Sequence, residues 1–344
     1  MTTEAKYSAP PPTSVSESNS DRKFRSEFTL PTAFDRSVWF PRHMFVGIKQ
    51  MQAKLRACDC VIEVHDARIP FSARNDQLFR PLYRVRPHVL VLNKVDLIDR
   101  RLHGAHIEER LKVDHGLEHV LWTNLSRRAN VAVNRLLRLL LRLAGASERH
   151  HRTGVSEYQF MVIGIPNVGK SSLINALRER FLPTDVRKRS KTPLRVGDQP
   201  GVTRAVHHRL RVNASPDIWM LDTPGVLPPD FSKTDVHAVM KAAVCNCVMQ
   251  GSVDHVQAVA DYLLYWMNKN NRFEYVDALG IRSPTDRIEA LLMETCVAQN
   301  FAVSRVVPGV GRTKVPDFAA AAEKFLALFR SGKMGDQFMD VENL

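Results

Sequence analysis

The sequence predicts an α/β fold, a doubly wound sheet, followed by an α-helical C-terminal domain. Three observations carry that expectation. Short apolar runs alternate with helical stretches from Ala57 onward. One of these runs, ending at Ile163, leads into a glycine-rich turn and then a helix. Beyond about Phe231 the strand signals vanish.

Taken in order, residues 1–28 are rich in Ser, Pro, Thr and charge around Pro10-Pro11-Pro12 and read as disordered. Glu4, Glu17 and Asp21 argue against a clear transit peptide there and leave targeting undecided. Cys58–Val64 and His88–Leu92 are apolar almost throughout, as in strands of a parallel sheet covered on both faces. His119–Trp122 is a third strand. Asn130–Leu143 is a helix with an apolar stripe and arginines opposite. Tyr158–Ile163 is a strand, and Lys170–Arg180 the helix after the turn. Val206–Val212 and Asp217–Leu221 read as a hairpin. Val236–Met249, Val256–Met267, Thr285–Gln299 and Asp317–Phe329 read as helices, the last started by Pro316 and Asp317. The domains are therefore expected at 1–28, 29–230 and 231–344.

Of 344 residues 44% are hydrophobic, enough for a substantial core. No apolar run reaches membrane-spanning length; Leu136–Ala146 is broken by Arg138 and Arg142, so a soluble chain without a transmembrane segment is expected. The net charge of +13 favours a polyanionic partner, whether RNA, DNA or an anionic membrane surface, and fits a generally basic enzyme as readily. There is no signature of base-stacking aromatics, so an RNA contact would be to backbone and shape. Cys58, Cys60, Cys245, Cys247 and Cys296 lack the spacing of a structural zinc site and read as buried thiols in a reducing compartment.

Gly164-Ile165-Pro166-Asn167-Val168-Gly169-Lys170-Ser171 fits G-x-x-x-x-G-K-[ST] between strand and helix. Backbone N–H groups of Val168, Gly169, Lys170, Ser171 and Ser172 would wrap the phosphates. Lys170 would neutralise the β- and γ-phosphates, and the Ser171 hydroxyl would ligate Mg²⁺. Asn93-Lys94-Val95-Asp96 ends a buried strand. Asp96 can accept from the two guanine donors that adenine lacks, Asn93 would brace the site, and Lys94 would lie along the base. Asn124 and Leu125, followed by Ser126, fall in the remaining base-contact loop. Asp222-Thr223-Pro224-Gly225 fits the motif that senses the γ-phosphate, with Asp222 on Mg²⁺ through water and the Gly225 N–H on the phosphate. Thr203, between the two phosphate motifs, is the candidate switch threonine on Mg²⁺.

The base motif precedes the phosphate loop, the reverse of the ordinary order. The set implies a circularly permuted P-loop GTPase domain that binds GTP and GDP.

Trp39-Phe40-Pro41-Arg42-His43-Met44 and Asp66-Ala67-Arg68-Ile69-Pro70, with the motifs above, resemble the RbgA/YlqF family of permuted GTPases, from about residue 36 to the C-terminus. Ala260-Asp261-Tyr262-Leu263-Leu264-Tyr265 is similar to its mitochondrial branch. The resemblance implies assembly of the mitochondrial large ribosomal subunit, through its RNA and proteins, in the mitochondrial matrix and at the periphery of the inner membrane. It implies His43 as the catalytic group that positions water, because Val226 stands where many GTPases have glutamine; the alternative is a capping or packing histidine. It also implies K⁺ on Asn167, against a loop-bracing amide. Arg42 replaces the family's usual glycine. Arg187-Lys188-Arg189-Ser190-Lys191 fits either a solvated face or a contact with ribosomal RNA.

Overall fold

A computed structural model describes residues 24–31, 49, 51–72, 74, 86–126, 131–147, 154–184, 209–225, 235–248, 253–307 and 311–343. Four parallel strands form where apolar residues run without alternation: β1 (Cys60–Asp66), β2 (His88–Asn93), β4 (Tyr158–Ile163) and β6 (Asp217–Asp222). Every residue of β1 is buried, as expected of a strand covered on both faces. A short β3 (Val120–Trp122) joins the outer edge of β2 in parallel, and β5 (Arg209–Ala214) pairs antiparallel with β6. The order across the sheet is β3-β2-β1-β4-β6-β5. The carboxyl ends of β2 and β4 therefore deliver the base motif and the phosphate loop to the same rim, with β1 between them.

Helices cover the sheet. α1 (Arg100–His115) is capped by Asp99, whose side chain accepts from the Arg101 and Leu102 N–H groups. α2 (Val131–Ala146) buries Val133, Leu136, Leu137, Leu140 and Ala144, the apolar stripe expected of it, each large side chain stabilising by roughly 1.5–3 kcal/mol. α3 (Lys170–Phe181) follows the phosphate loop. Beyond the sheet come α4 (Val236–Val244), α5 (Val253–Lys269), α6 (Glu274–Leu279), α7 (Ile288–Gln299) and α8 (Phe318–Arg330). Asp317 caps α8 by accepting from the Ala320 N–H. No helix of the described residues is long and apolar enough to cross a membrane.

The α/β fold class stands, with four corrections in detail. Strand signals do not vanish after Phe231: Ala302–Val307 (β7) and Gly311–Pro316 (β8) pair as an antiparallel hairpin. Val306 is 74% exposed there, so apolar residues on both faces hide the alternation that marks a half-buried strand. α1 carries no strong apolar stripe, burying only His103, Gly104, Ile107 and Leu111, and periodicity missed it.

The disordered reading of residues 1–28 fails at its end. Phe24 packs on Phe273, and Phe28 meets Tyr262 edge-on at 5.0 Å. Arg25 pairs with Asp261 and Asp286. These aromatic and charged side chains supply what the Ser/Pro-rich stretch lacks. Finally, the helical region is not walled off: one hydrophobic cluster runs from Val64 and Val162 in the sheet through α4 to Tyr262, Phe325 and Phe329. The tail after α8 returns to α1 and the turn before it, where Phe338 stacks on His103 at 4.4 Å and the Gln337 N–H donates to the Leu97 carbonyl.

Candidate nucleotide site

The phosphate loop leaves β4 at Gly164 and enters α3 at Lys170. Gly169 takes φ of 107°, left-handed territory, and a Cβ there would collide with the Asn93 amide. Among the described residues no side chain caps α3, and N–H groups at a helix N-terminus suit an anion. Lys170 is buried and donates to the Ile165 carbonyl at 2.8 Å, across its own loop. Burial lowers its ammonium to about 8, against the opposing charge of Asp222.

Asp222 ends β6, and Ser171 Oγ lies 3.5 Å from its Oδ2. Two hard oxygen donors at the phosphate end suit a hard divalent cation such as Mg²⁺. Thr223 Oγ1 donates to the Val162 carbonyl at 2.7 Å and fastens this motif to β4. A Cβ on Gly225 would lie 2.7 Å from the Pro166 backbone, so glycine is what lets the two phosphate segments touch. Ser172 is half-buried in the first turn of α3.

The base motif is built from side chains instead. Asn93 donates through Nδ2 to the Val168 carbonyl at 2.8 Å, while its Oδ1 accepts from Thr123 Oγ1 at 3.2 Å and from the Leu125 N–H at 3.1 Å. One amide thus joins base motif, phosphate loop and the loop after β3. The Leu125 N–H is engaged by Asn93. Asn124 closes a local turn, its Oδ1 accepting from the N–H and hydroxyl of Ser126. The Val95 N–H donates to the Thr123 carbonyl, and Asp96 is exposed on the 3-10 turn Val95–Leu97.

Lys94 adopts φ of 63° and reaches Asp66 Oδ2 at 2.7 Å. Arg68 grips the same carboxylate with Nε at 2.9 Å and Nη2 at 2.7 Å. Burial opposes ionisation of Asp66, but the Arg68 and Lys94 charges outweigh it and hold the carboxyl far below its ordinary range. This triad escaped the sequence reading except as part of a family pattern; its signal was a charged pair two positions apart at the end of a buried strand. Asn167 also has φ above zero, at 56°, and donates Nδ2 to the Asn246 carbonyl at 3.0 Å. His43, Thr203, Arg42, Val226 and residues 187–191 lie outside the described residues. All five cysteines are buried free thiols.

A model of the family described as 50S ribosome-binding GTPase matches residues 159–279. Mitochondrial ribosome-associated GTPase 1 of Mus musculus is 43% identical over 89% of this chain and 90% of its own. Mitochondrial GTPase 1 of Aedes aegypti is 38% identical over 88% of this chain and 93% of its own. Ribosome biogenesis GTPase A of Bacillus pumilus is 31% identical over 67% of this chain and 75% of its own.

Proposed function

We propose, because this chain belongs to the mitochondrial ribosome-associated GTPase 1 family and is a GTPase, that it acts in assembly of the mitochondrial large ribosomal subunit, binding it in the matrix and timing its own release by GTP hydrolysis. The observation that carries the nucleotide part is the Asn93–Val168 bond, which joins base motif to phosphate loop across 75 positions. The formal charge of +13 supports the ribosomal part, since phosphate backbones attract a basic surface through released counterions. The same surplus supports peripheral contact with an anionic inner-membrane surface, which salt-sensitive binding to anionic vesicles would test.

In this reading Asp96 accepts from the N1 and N2 donors of guanine and Lys94 lies along the base. Lys170 neutralises the β- and γ-phosphates, and the Gly225 N–H meets the γ-phosphate. Ser171, Thr203 and, through water, Asp222 would hold Mg²⁺, and Asn167 would offer its amide oxygen to K⁺; such cations would supply positive charge against the phosphate oxygens. Water attacks the γ-phosphorus and GDP leaves with inorganic phosphate as the second product. His43 orients that water, because Val226 has no side-chain donor or acceptor.

His43→Ala should lower turnover by ~10²–10⁴-fold and leave GTP affinity nearly unchanged, since a water-positioning group acts in the transition state. The assay is single-turnover hydrolysis with and without purified mitochondrial large subunits. Equal stimulated turnover in variant and wild type would remove His43 from the mechanism. Val226 favours a second reading, a GTP-gated ribosome-binding module with little turnover of its own; negligible hydrolysis by wild type on the subunits would select it.

A further inference from the structure

Helix α4 ends in a turn whose carbonyls all find side chains. A helix leaves its last C=O groups without intrahelical donors, and buried ones need partners from elsewhere. Arg330 of α8 donates Nη2 to Ala243 at 2.9 Å and Nε to Val244 at 2.7 Å. Arg68, from the base side of the sheet, donates Nη2 to Cys245 at 3.1 Å. Asn167, from the phosphate loop, donates Nδ2 to Asn246 at 3.0 Å. Four successive carbonyls are thus shared among the helical region, the base side and the phosphate side. The Met339 N–H donates to the Arg68 carbonyl at 2.8 Å, so the C-terminal tail closes the same junction.

We propose that Arg68 is a positioning residue for Lys94 at the base, and that the α4 turn links its hold on the base side to the hold of Asn167 on the phosphate loop. The guanidinium is buried, grips Asp66 in two places and so fixes the carboxylate that fixes Lys94. The same guanidinium needs the Cys245 carbonyl where α4 presents it. Ordering Lys94 and Asn167 around a nucleotide therefore orders the turn, and seating the turn orders both nucleotide contacts, as linkage requires. This rests on reading Lys94 as a base contact.

The test uses the full chain with GTP and Mg²⁺, Arg68→Lys, and the double variant Asp66→Asn with Arg68→Met. Lysine keeps the charge and loses the fork; the double variant removes both charges at similar volume, so that a misfolded single variant does not block the question. The expected result is a KM raised about tenfold with kcat within about twofold, the loss of one or two charge-assisted bonds acting on binding. Alkylation of Cys245 and Cys247, followed peptide by peptide, supplies a readout that packing alone would not move. Saturating GTP should slow it in wild type by at least about fivefold, the lower end of ordinary coupling. That protection should fall within about twofold in Arg68→Lys, in the double variant and in Asn167→Ala. Unprotected thiols in wild type, or full protection with unchanged KM in the variants, would overturn the inference. Unchanged guanine preference in Asp96→Asn would instead defeat the base-site reading beneath it.

Discussion

The two ends of the nucleotide site are built by different means. At the base end, Asn93 makes three hydrogen bonds to two other segments, the phosphate loop and the loop after β3, and Lys94 sits on a carboxylate that Arg68 also holds. These side chains are partnered by the protein itself, so recognition geometry and fold stability rest on the same bonds. At the phosphate end, backbone carries the shape: Gly169 with its left-handed φ, Gly225 against Pro166, and an α3 start that no side chain among the described residues caps. Lys170 there is a buried charge that donates to a neutral carbonyl, that of Ile165. The difference teaches that substitutions at the braced base-end side chains, such as Asn93, should register in stability and affinity together, whereas phosphate-end substitutions should register in affinity alone.

The largest expected effect tests the phosphate end. Lys170→Ala should weaken GTP binding by roughly 10²–10³-fold, the cost of truncating one partner of a desolvated charge pair. Its melting temperature should equal or exceed that of wild type, since burial already penalises the ammonium. Titration with a fluorescent GTP analogue and a thermal melt measure the two; a melt lowered by several degrees would break the contrast. Ser171→Ala should likewise lose Mg²⁺-dependent affinity while keeping its melt.

Asn93→Ala comes next. Removing one amide strands the Val168 carbonyl, the Thr123 hydroxyl and the Leu125 N–H, for a loss of about 2–4 kcal/mol in unfolding free energy. Urea titration gives that number, and a loss under ~1 kcal/mol would mean the base end is not braced as described. Asp96→Asn should act on selectivity without touching stability, because Asp96 is exposed. Xanthine carries a carbonyl where guanine has its amino group, so XTP should gain on GTP by about tenfold in competition binding.

The smallest effect is in acid. The folded carboxyl of Asp66 lies below its ordinary value of 3.8, so its contribution to stability is complete above that pH and is lost as pH falls toward the folded value. Between pH 3.8 and the folded value the slope for this one group is about 1.4 kcal/mol per unit. Urea midpoints from pH 5 to pH 3 should therefore fall less steeply in the Asp66→Asn, Arg68→Met double variant than in wild type. Parallel slopes would remove Asp66 from the set of stabilising ion pairs.

Much of this was legible in the residues. β1, β2 and β4 announced themselves because a strand covered on both faces needs apolar residues without interruption, and α2 because its leucines recur at helical spacing. The phosphate loop was legible because its glycines answer a local backbone demand at fixed spacing. α1 and the β7–β8 hairpin were not, since a mostly exposed element carries little periodic apolar signal. Nor was the docking of Phe24, Arg25 and Phe28, whose partners Phe273, Asp261 and Tyr262 lie more than 200 positions away.

The sequence by itself determined the α/β class, the permuted order of motifs and the chemistry each motif offers, because all three depend on residue type at short, fixed intervals. Only the tertiary structure decided that Asn93 would tie base motif to phosphate loop, that Asp66 and Arg68 would stand behind Lys94, and that Arg68 and Asn167 would meet on one turn at the end of α4. The Asn93–Val168 bond spans 75 positions and the Arg68–Cys245 bond 177. A buried carbonyl or carboxylate must be satisfied by some donor, but which one is fixed by where the packed sheet and helices bring distant chain, a choice that no local pattern encodes.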